Sequence, residues 1–257
     1  MRLDVLDSFR LEGRVALVTG ASRGFGEVLA SALAEAGASL ALLARGERVH
    51  EVARTLSAEH GVDCRAWQCD VSDAGAVQET VAAAIAECGG LHIVVNNAGI
   101  NIRGPIEELS LEQYRQVQDA NVTSMWLVCR AAATHLKAQG YGRVVNIGSL
   151  LSILGMAQRT PYAVSKAGVL ALTRVLALEW APAGITVNCI IPGVFATEMN
   201  RPMLEDPETR AGVAAKVPLG RWGEPAEVAG MALYLASDAA SYVTGAALTV
   251  DGGWSVH

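Results

Sequence analysis

The chain has 257 residues, 51% hydrophobic but only 5% aromatic, with a formal net charge of −6. That length can bury a sizeable core, and the acidic balance provides no basic field for a phosphate backbone, which excludes generic nucleic-acid binding. Cys64, Cys69, Cys88, Cys129 and Cys189 are odd in number, scattered and without CxxC spacing, so buried free thiols are expected and a metal site is not.

Met1–Arg10 mixes charges with apolar residues and lacks the apolar run of a signal peptide. No charge-free apolar stretch of about 18 residues follows, so no membrane span is expected. A cytoplasmic location follows by default.

Short β-branched or Leu-rich runs then alternate with longer Ala-rich segments of helical period. The runs at Val15–Thr19, Ser39–Ala44, Asp63–Gln68, Ile93–Asn96, Arg143–Ile147, Thr186–Ile190 and Ala247–Val250 predict strands. Helices are predicted at Gly26–Ala36, Asp73–Glu87, 120–138, 161–181 and 224–236. The early strands are apolar with little alternation, as in parallel strands covered on both faces. Right-handed crossovers between them give a doubly wound α/β sheet of about seven strands, with helices on both faces. Pro192–Pro218 breaks the pattern and predicts an excursion with short helices, a natural lid.

The first strand runs into Thr19-Gly20-Ala21-Ser22-Arg23-Gly24-Phe25-Gly26, and a helix follows. Gly20 permits a tight turn; Gly24 and Gly26 let backbone N–H groups approach a pyrophosphate at a helix N-terminus. The second strand ends at Ala44-Arg45, where an acid would accept from a free adenosine ribose. Arg45, with Arg23 in the glycine loop, instead favours a 2′-phosphate, hence NADP(H), with NAD(H) possible. Arg45 could equally be a solvated charge partnered by Glu47. Asp70, at the end of the third strand, can accept from the adenine amino group or cap the helix from Ser72 onward. Asn96-Asn97-Ala98-Gly99 ends the fourth strand with small residues that leave the cofactor room.

Asn146-Ile147-Gly148-Ser149 closes the fifth strand, and Tyr162-Ala163-Val164-Ser165-Lys166 opens a long helix. Tyr162 and Lys166, at i and i+4, share one helical face. A lysine ammonium and a positive nicotinamide would lower the phenol's pKa from about 10, so that it could exchange a proton with a substrate oxygen. The Ser149 hydroxyl can donate to the developing alkoxide. Hydride transfer between a nicotinamide cofactor and an alcohol or carbonyl carbon is the chemistry these features imply.

With these elements in this order, the chain resembles the short-chain dehydrogenase/reductase family, from about Leu11 to Trp254. The resemblance rests on Gly20, Gly24 and Gly26, Asp70, Asn96-Asn97-Ala98-Gly99, Asn121, Ser149, Tyr162, Lys166, Asn188 and Pro192-Gly193. It implies one domain over residues 1–257 and a catalytic tetrad of Asn121, Ser149, Tyr162 and Lys166. Asn121 would hold a proton-relaying water and Lys166 the nicotinamide ribose. It also implies a cofactor site of Gly20, Ser22, Arg23, Gly24, Phe25, Gly26, Arg45, Asp70, Val71, Asn97, Ala98, Gly99, Tyr162, Lys166, Pro192, Gly193, Val194 and Thr197, the last two at the carboxamide. Phe25 replaces the family's usual aliphatic residue, and only a packing adjustment is expected.

Residues 100–108, 150–160 and 194–218 should set specificity. They carry Asn101, Arg103, Gln158, Arg159, Asn200 and Arg201, which suit a hydroxylated or anionic substrate. Segments 98–103, 192–201 and 220–225 resemble those of gluconate 5-dehydrogenases, which interconvert gluconate and 5-ketogluconate. Arg103 is the candidate carboxylate anchor, with Arg159 and Arg201 as rivals; it could instead pair with Glu107 or Glu108. One alternative is a 3-oxoacyl-acyl-carrier-protein reductase, which would need a basic patch; another is an inactive NADP(H)-sensing binding protein. Apolar residues on more than one face of 120–138 and 161–181 (Met125, Trp126, Val128; Val169, Leu170, Leu172, Val175, Leu176) point to a homotetramer.

Overall fold

The computed structural model describes residues 4–256. The first three residues of the Met1–Arg10 stretch therefore lie outside the described residues. The elements run β1 (Val15–Thr19), α1 (Gly24–Glu35), β2 (Ser39–Ala44), α2 (Arg48–His60), β3 (Cys64–Gln68), α3 (Ala74–Glu87), β4 (Ile93–Asn96), α4 (Leu111–Gln118), α5 (Ser124–Gln139), β5 (Gly142–Ile147), α6 (Thr160–Trp180), β6 (Ile185–Pro192), α7 (Arg201–Glu205), α8 (Pro207–Ala214), α9 (Ala226–Ala236) and β7 (Ala247–Val250).

All seven strands pair in parallel in one sheet of order β3-β2-β1-β4-β5-β6-β7. β1, β4, β5 and β6 are buried along their whole length, as strands covered on both faces must be. Side chains alternate between the faces. Ala16 and Val18 pack with Leu29, Leu33, Val52 and Leu235 on one side. Leu17 packs with Val81, Val128, Leu136 and Trp180 on the other. The predicted doubly wound α/β fold is the observed one.

The strand order reverses between β1 and β4, where the α1 connection and the β4 connection leave on opposite sides. In such sheets a crevice opens there, at the carboxyl ends of the strands. Gly20, Asp70, Gly99, Ser149 and Gly193 all follow strand C-termini.

Several boundaries differ from the sequence expectation. α1 begins at Gly24, two residues early, so the second loop glycine lies in the helix's first turn. β6 extends from Ile185 to Pro192 because it is buried throughout between β5 and β7. The predicted helix over 120–138 opens with a π-turn at Asp119–Thr123 before α5. α2 and α4, for which the sequence reading named no segment, are polar: in α4 only Val117 is buried. In α4 an apolar period is then too sparse to detect, whereas α2 does bury one face, Val49, Val52, Ala53 and Leu56, at helical spacing. Among the described residues α6 alone is long and apolar enough to cross a membrane. Here it is a core helix, with Val169, Leu170, Leu176 and Trp180 buried against the sheet side and its neighbours.

Candidate active site

The glycine loop is built for an anion. Gly20 and Gly24 have φ of +66° and +58°, which disfavours any side chain. A Cβ on Gly26 would collide with the Gly20 carbonyl, so this glycine is needed for the loop to close on α1. A Cβ on Gly24 would meet nothing within 4 Å, so that face of the loop opens outward. α1 starts at Arg23 with no side chain capping its first N–H groups. A pyrophosphate fits those donors. Asn97 Nδ2 donates to Thr19 O (3.0 Å) and Gly20 O (3.3 Å), and Thr19 Oγ1 accepts from Asn97 N and Ala98 N. The ends of β1 and β4 are thereby locked together beneath the loop.

Of its two expected roles, Asp70 does not take that of the α3 cap. Asp73, not Asp70, caps α3, accepting from Gly75 N and Ala76 N. The Asp70 Oδ1 accepts from Ser72 N (3.0 Å) and Ser72 Oγ (2.7 Å). Those bonds and, more weakly, the Arg45 charge hold its carboxyl below the usual range. Arg45 therefore stands near Asp70 at the neighbouring strand ends, and among the described residues neither Glu47 nor any other acid pairs with it. Arg23 lies 3.4 Å from Glu198, at the start of the lid, in a largely exposed pair. Val71 is buried behind these groups. Phe25 stacks edge-on against Phe195 with ring centroids 5.2 Å apart, the packing adjustment expected of it.

Beyond the fold reversal the side chains change from phosphate-type to proton-handling ones. Lys166 is buried, and its Nζ donates to Ile147 O at 2.7 Å. Burial pushes its ammonium down to about 8. The Tyr162 ring lies 5.7 Å from that nitrogen. Burial pushes the Tyr162 phenol up, opposed by a hydrogen bond with Ser149 and by the charges of Arg103 and Arg159. The expected lowering needs both the Lys166 ammonium and a positive nicotinamide; in the protein by itself, desolvation of the phenol outweighs its partners. Ser149 is held in place as the cap of a short turn, accepting from Leu151 N while its own N–H donates to Ser152 Oγ.

Asn121 is fully buried in the π-turn. Its Oδ1 accepts from Ile100 N (2.7 Å), and its Nδ2 donates to Ile100 O (2.9 Å) and Ser165 Oγ (2.9 Å). A relay water on this carboxamide would have to share groups already committed to bracing the loop after β4 against α6. Gly99 is small for the same reason: a Cβ there would meet Asn121 Oδ1 at 3.1 Å and Lys166 Nζ at 3.8 Å.

On the far side, Pro192 ends β6, Gly193 N donates to Val250 O and Gly223 N donates to Val194 O. A Cβ on Gly193 would press on Asp251 Cα at 2.6 Å. Thr197 N turns back on Phe195 O, opening the lid of Glu198–Asn200, α7 and α8. Asn188, by contrast, serves structure: it bonds Val243 O and Ala246 N, tying β6 to the approach to β7.

Among the would-be substrate anchors, Arg201 lies 3.9 Å from Glu205 within α7. Arg103 is exposed and pairs with neither Glu107 nor Glu108; its nearest polar partner is Met203 Sδ of α7, at 3.8 Å. Sequence reasoning missed several supporting residues. Ser165 anchors Asn121, and Gln118 Nε2 holds Pro161 O at the start of α6 (2.9 Å). Asn96, Asn146 and Thr173 form a buried chain beneath the site, Asn96 Nδ2 to Asn146 Oδ1 at 2.8 Å and Asn146 Nδ2 to Thr173 Oγ1 at 2.9 Å. The one available signal was polar residues inside otherwise apolar strands.

A family model described as enoyl-(acyl carrier protein) reductase, adh_short_C2, matches residues 20–255. A 2-dehydro-3-deoxy-D-gluconate 5-dehydrogenase from Pseudoalteromonas atlantica is 39% identical, over 97% of this chain and 99% of its own. A D-threitol dehydrogenase from Mycolicibacterium smegmatis is 38% identical, over 99% of this chain and 97% of its own. The structure of a gluconate 5-dehydrogenase from Burkholderia cenocepacia, in complex with NADP and tartrate, superposes with a TM-score of 0.93 at 37% identity, covering 98% of this chain and 99% of that one. The chain belongs to the short-chain dehydrogenase/reductase family and is an oxidoreductase acting between alcohol and keto groups.

Proposed function

We propose that this enzyme uses NADP(H), with NAD(H) as a possible substitute, to interconvert a hydroxyl and a keto group on a sugar acid, gluconate and 5-ketogluconate being the first candidates. Similarity to sugar-acid dehydrogenases supports this. The observation that carries it is Arg103: a cation beside Tyr162 with no acidic partner among the described residues. A guanidinium there matches a carboxylate by two parallel, charge-assisted hydrogen bonds.

The cofactor, when bound, supplies the site that takes up or releases the hydride. Gly20, Ser22, Gly24 and Gly26 would hold its pyrophosphate, Arg45 its 2′-phosphate and Asp70 its adenine. Asn97, Ala98, Gly99, Pro192, Gly193, Val194 and Thr197 would frame the nicotinamide end. The protein's own work is proton handling and orientation. In oxidation Tyr162 Oη takes the substrate hydroxyl proton, while the Ser149 hydroxyl donates to the oxygen as charge develops on it. Lys166, its pKa drawn down to about 8, can pass the proton on toward Asn121 and solvent. Residues 194–218 would close over the substrate.

A turnover panel with NADP+ tests the proposal: gluconate and related sugar acids, D-threitol, and 3-oxoacyl thioesters in the reverse direction. Sugar acids should give the highest kcat/KM. Brisk 3-oxoacyl reduction without sugar-acid oxidation would favour an acyl-carrier-protein reductase. Cofactor binding without any turnover would favour a sensor. A homotetramer in the cytoplasm completes the proposal. Support for self-association comes from Trp126, Val164, Val175 and Leu178, which α5 and α6 leave 45–80% exposed.

A further inference from the structure

The loop after β4 and the loop before α6 are stitched together by one backbone bond, Gly104 N to Gln158 O at 3.1 Å. Arg103 and Arg159 each flank one end of that bond. Gln158 has φ +62°, the only left-handed non-glycine residue among those described. A conformation disfavoured for an L side chain persists only where the surroundings hold it. Arg159 follows it as the N-cap residue of α6, where its side chain caps no backbone group and Nη1 donates to Gln158 O (3.2 Å).

We infer that Arg159 is a second anion-holding residue, which with Arg103 clamps the substrate carboxylate beside Tyr162 and sets the preference for hydroxy acids over neutral polyols. The inference rests on the sugar-acid proposal above and deepens it. Neither guanidinium has a carboxylate within ion-pair distance among the described residues. Arg159 is half-buried; withdrawal from water, and then the charge of Arg103, disfavour its protonated form. Two like charges near enough to disfavour one another are relieved by an anion that both can reach. Both charges also act on Tyr162, whose other neighbours are the Ser149 hydroxyl and Lys166. Arg159 is therefore a positioning residue: it holds the substrate's acid end and biases the phenol toward phenolate.

The test compares wild type with Arg159→Gln, Arg159→Lys and Arg103→Gln. Kinetics are read on gluconate and D-threitol, and tartrate binding to the NADP+-loaded enzyme is read by calorimetry. Arg159→Gln should raise KM for gluconate at least tenfold while kcat falls less than threefold, the mark of uniform binding lost. The loss in kcat/KM should be at least tenfold larger for gluconate than for threitol, with partial recovery in Arg159→Lys. The tartrate Kd should rise in parallel, and the acid limb of the threitol kcat/KM profile should move to higher pH. Equal losses on gluconate and threitol, or an unchanged tartrate Kd, overturn the clamp. If gluconate is oxidised and only Arg103→Gln weakens it, the clamp fails while the sugar-acid proposal stands. If gluconate is not oxidised but Arg159→Gln still weakens tartrate, the clamp stands and that proposal fails.

Discussion

Tyr162 sits where a phenol alone would be a poor base at neutral pH: burial raises its pKa, and only Ser149, Arg103 and Arg159 oppose that. Removing its hydroxyl leaves the ring to pack and the cofactor groove untouched. Tyr162→Phe should therefore keep its fold and NADP+ affinity but lose turnover by at least about a hundredfold, the usual scale of general acid/base catalysis. Near-normal kcat would remove Tyr162 from the proton path. Arg45 offers a second test at this scale. Arg23 has Glu198 beside it, whereas Arg45 has no ion pair of that kind among the described residues. Arg45→Asp should lower the ratio of kcat/KM with NADP+ to that with NAD+ by about tenfold or more, the loss of one charge-assisted contact. A wild-type enzyme already favouring NAD+ would contradict the assignment.

The elements are joined at the N-terminal ends of the strands by side chains that the chemistry does not use. His92 opens β4 with Nδ1 accepting from Val15 N (3.0 Å). Burial, with the charge of Arg14, lowers its pKa. Protonation would abolish that acceptor. A folded-state pKa below the unfolded value near 6.5 means that the stabilisation is present above about pH 6.5 and is lost as pH falls through the folded value. His92→Asn keeps an acceptor at the δ position but cannot titrate. Between pH 7 and pH 5 the wild-type Tm should fall more than that of His92→Asn. Parallel declines would show that His92 is not the source. At the same scale the helices divide by legibility. α1, α3, α5, α6 and α9 carry a dense apolar face and were marked by period. α4 does not, and is secured instead by the Ser110–Gln113 capping box, while the buried face of α2, Val49, Val52, Ala53 and Leu56, is set among charged residues.

At the level of the whole molecule the expected surplus of apolar residues is only partly a free surface. Met125, Val128, Val169, Leu170 and Leu176 are buried within the chain, leaving Trp126 and Val175, joined by Val164 and Leu178, on the outside. Exposed apolar side chains on two helices of one molecule are what a partner copy would cover. Light scattering at micromolar concentration should give a mass of about four chains, and Leu178→Lys with Val175→Lys should lower it. A monomeric wild type would leave the patch without a partner copy.

The order of elements, the glycine loop closing β1 and the Tyr162-x-x-x-Lys166 spacing were determined by the sequence alone, because each is local: a run, a turn or a helical repeat. The same holds for the parallel sheet, since apolar strands separated by helices leave few topologies. What only the tertiary structure decided are the relations between distant segments. Arg23 was diverted to Glu198 across 175 residues, and Asn121 was committed to Ile100 and Ser165. The phenol of Tyr162 is raised by burial in the protein by itself, because desolvation depends on everything packed around it. Arg103 and Arg159, distant in sequence, flank the two ends of the backbone bond from Gly104 to Gln158. Charge, burial and hydrogen-bond partnership are properties of neighbours in space, and a chain read in order does not show which neighbours those will be.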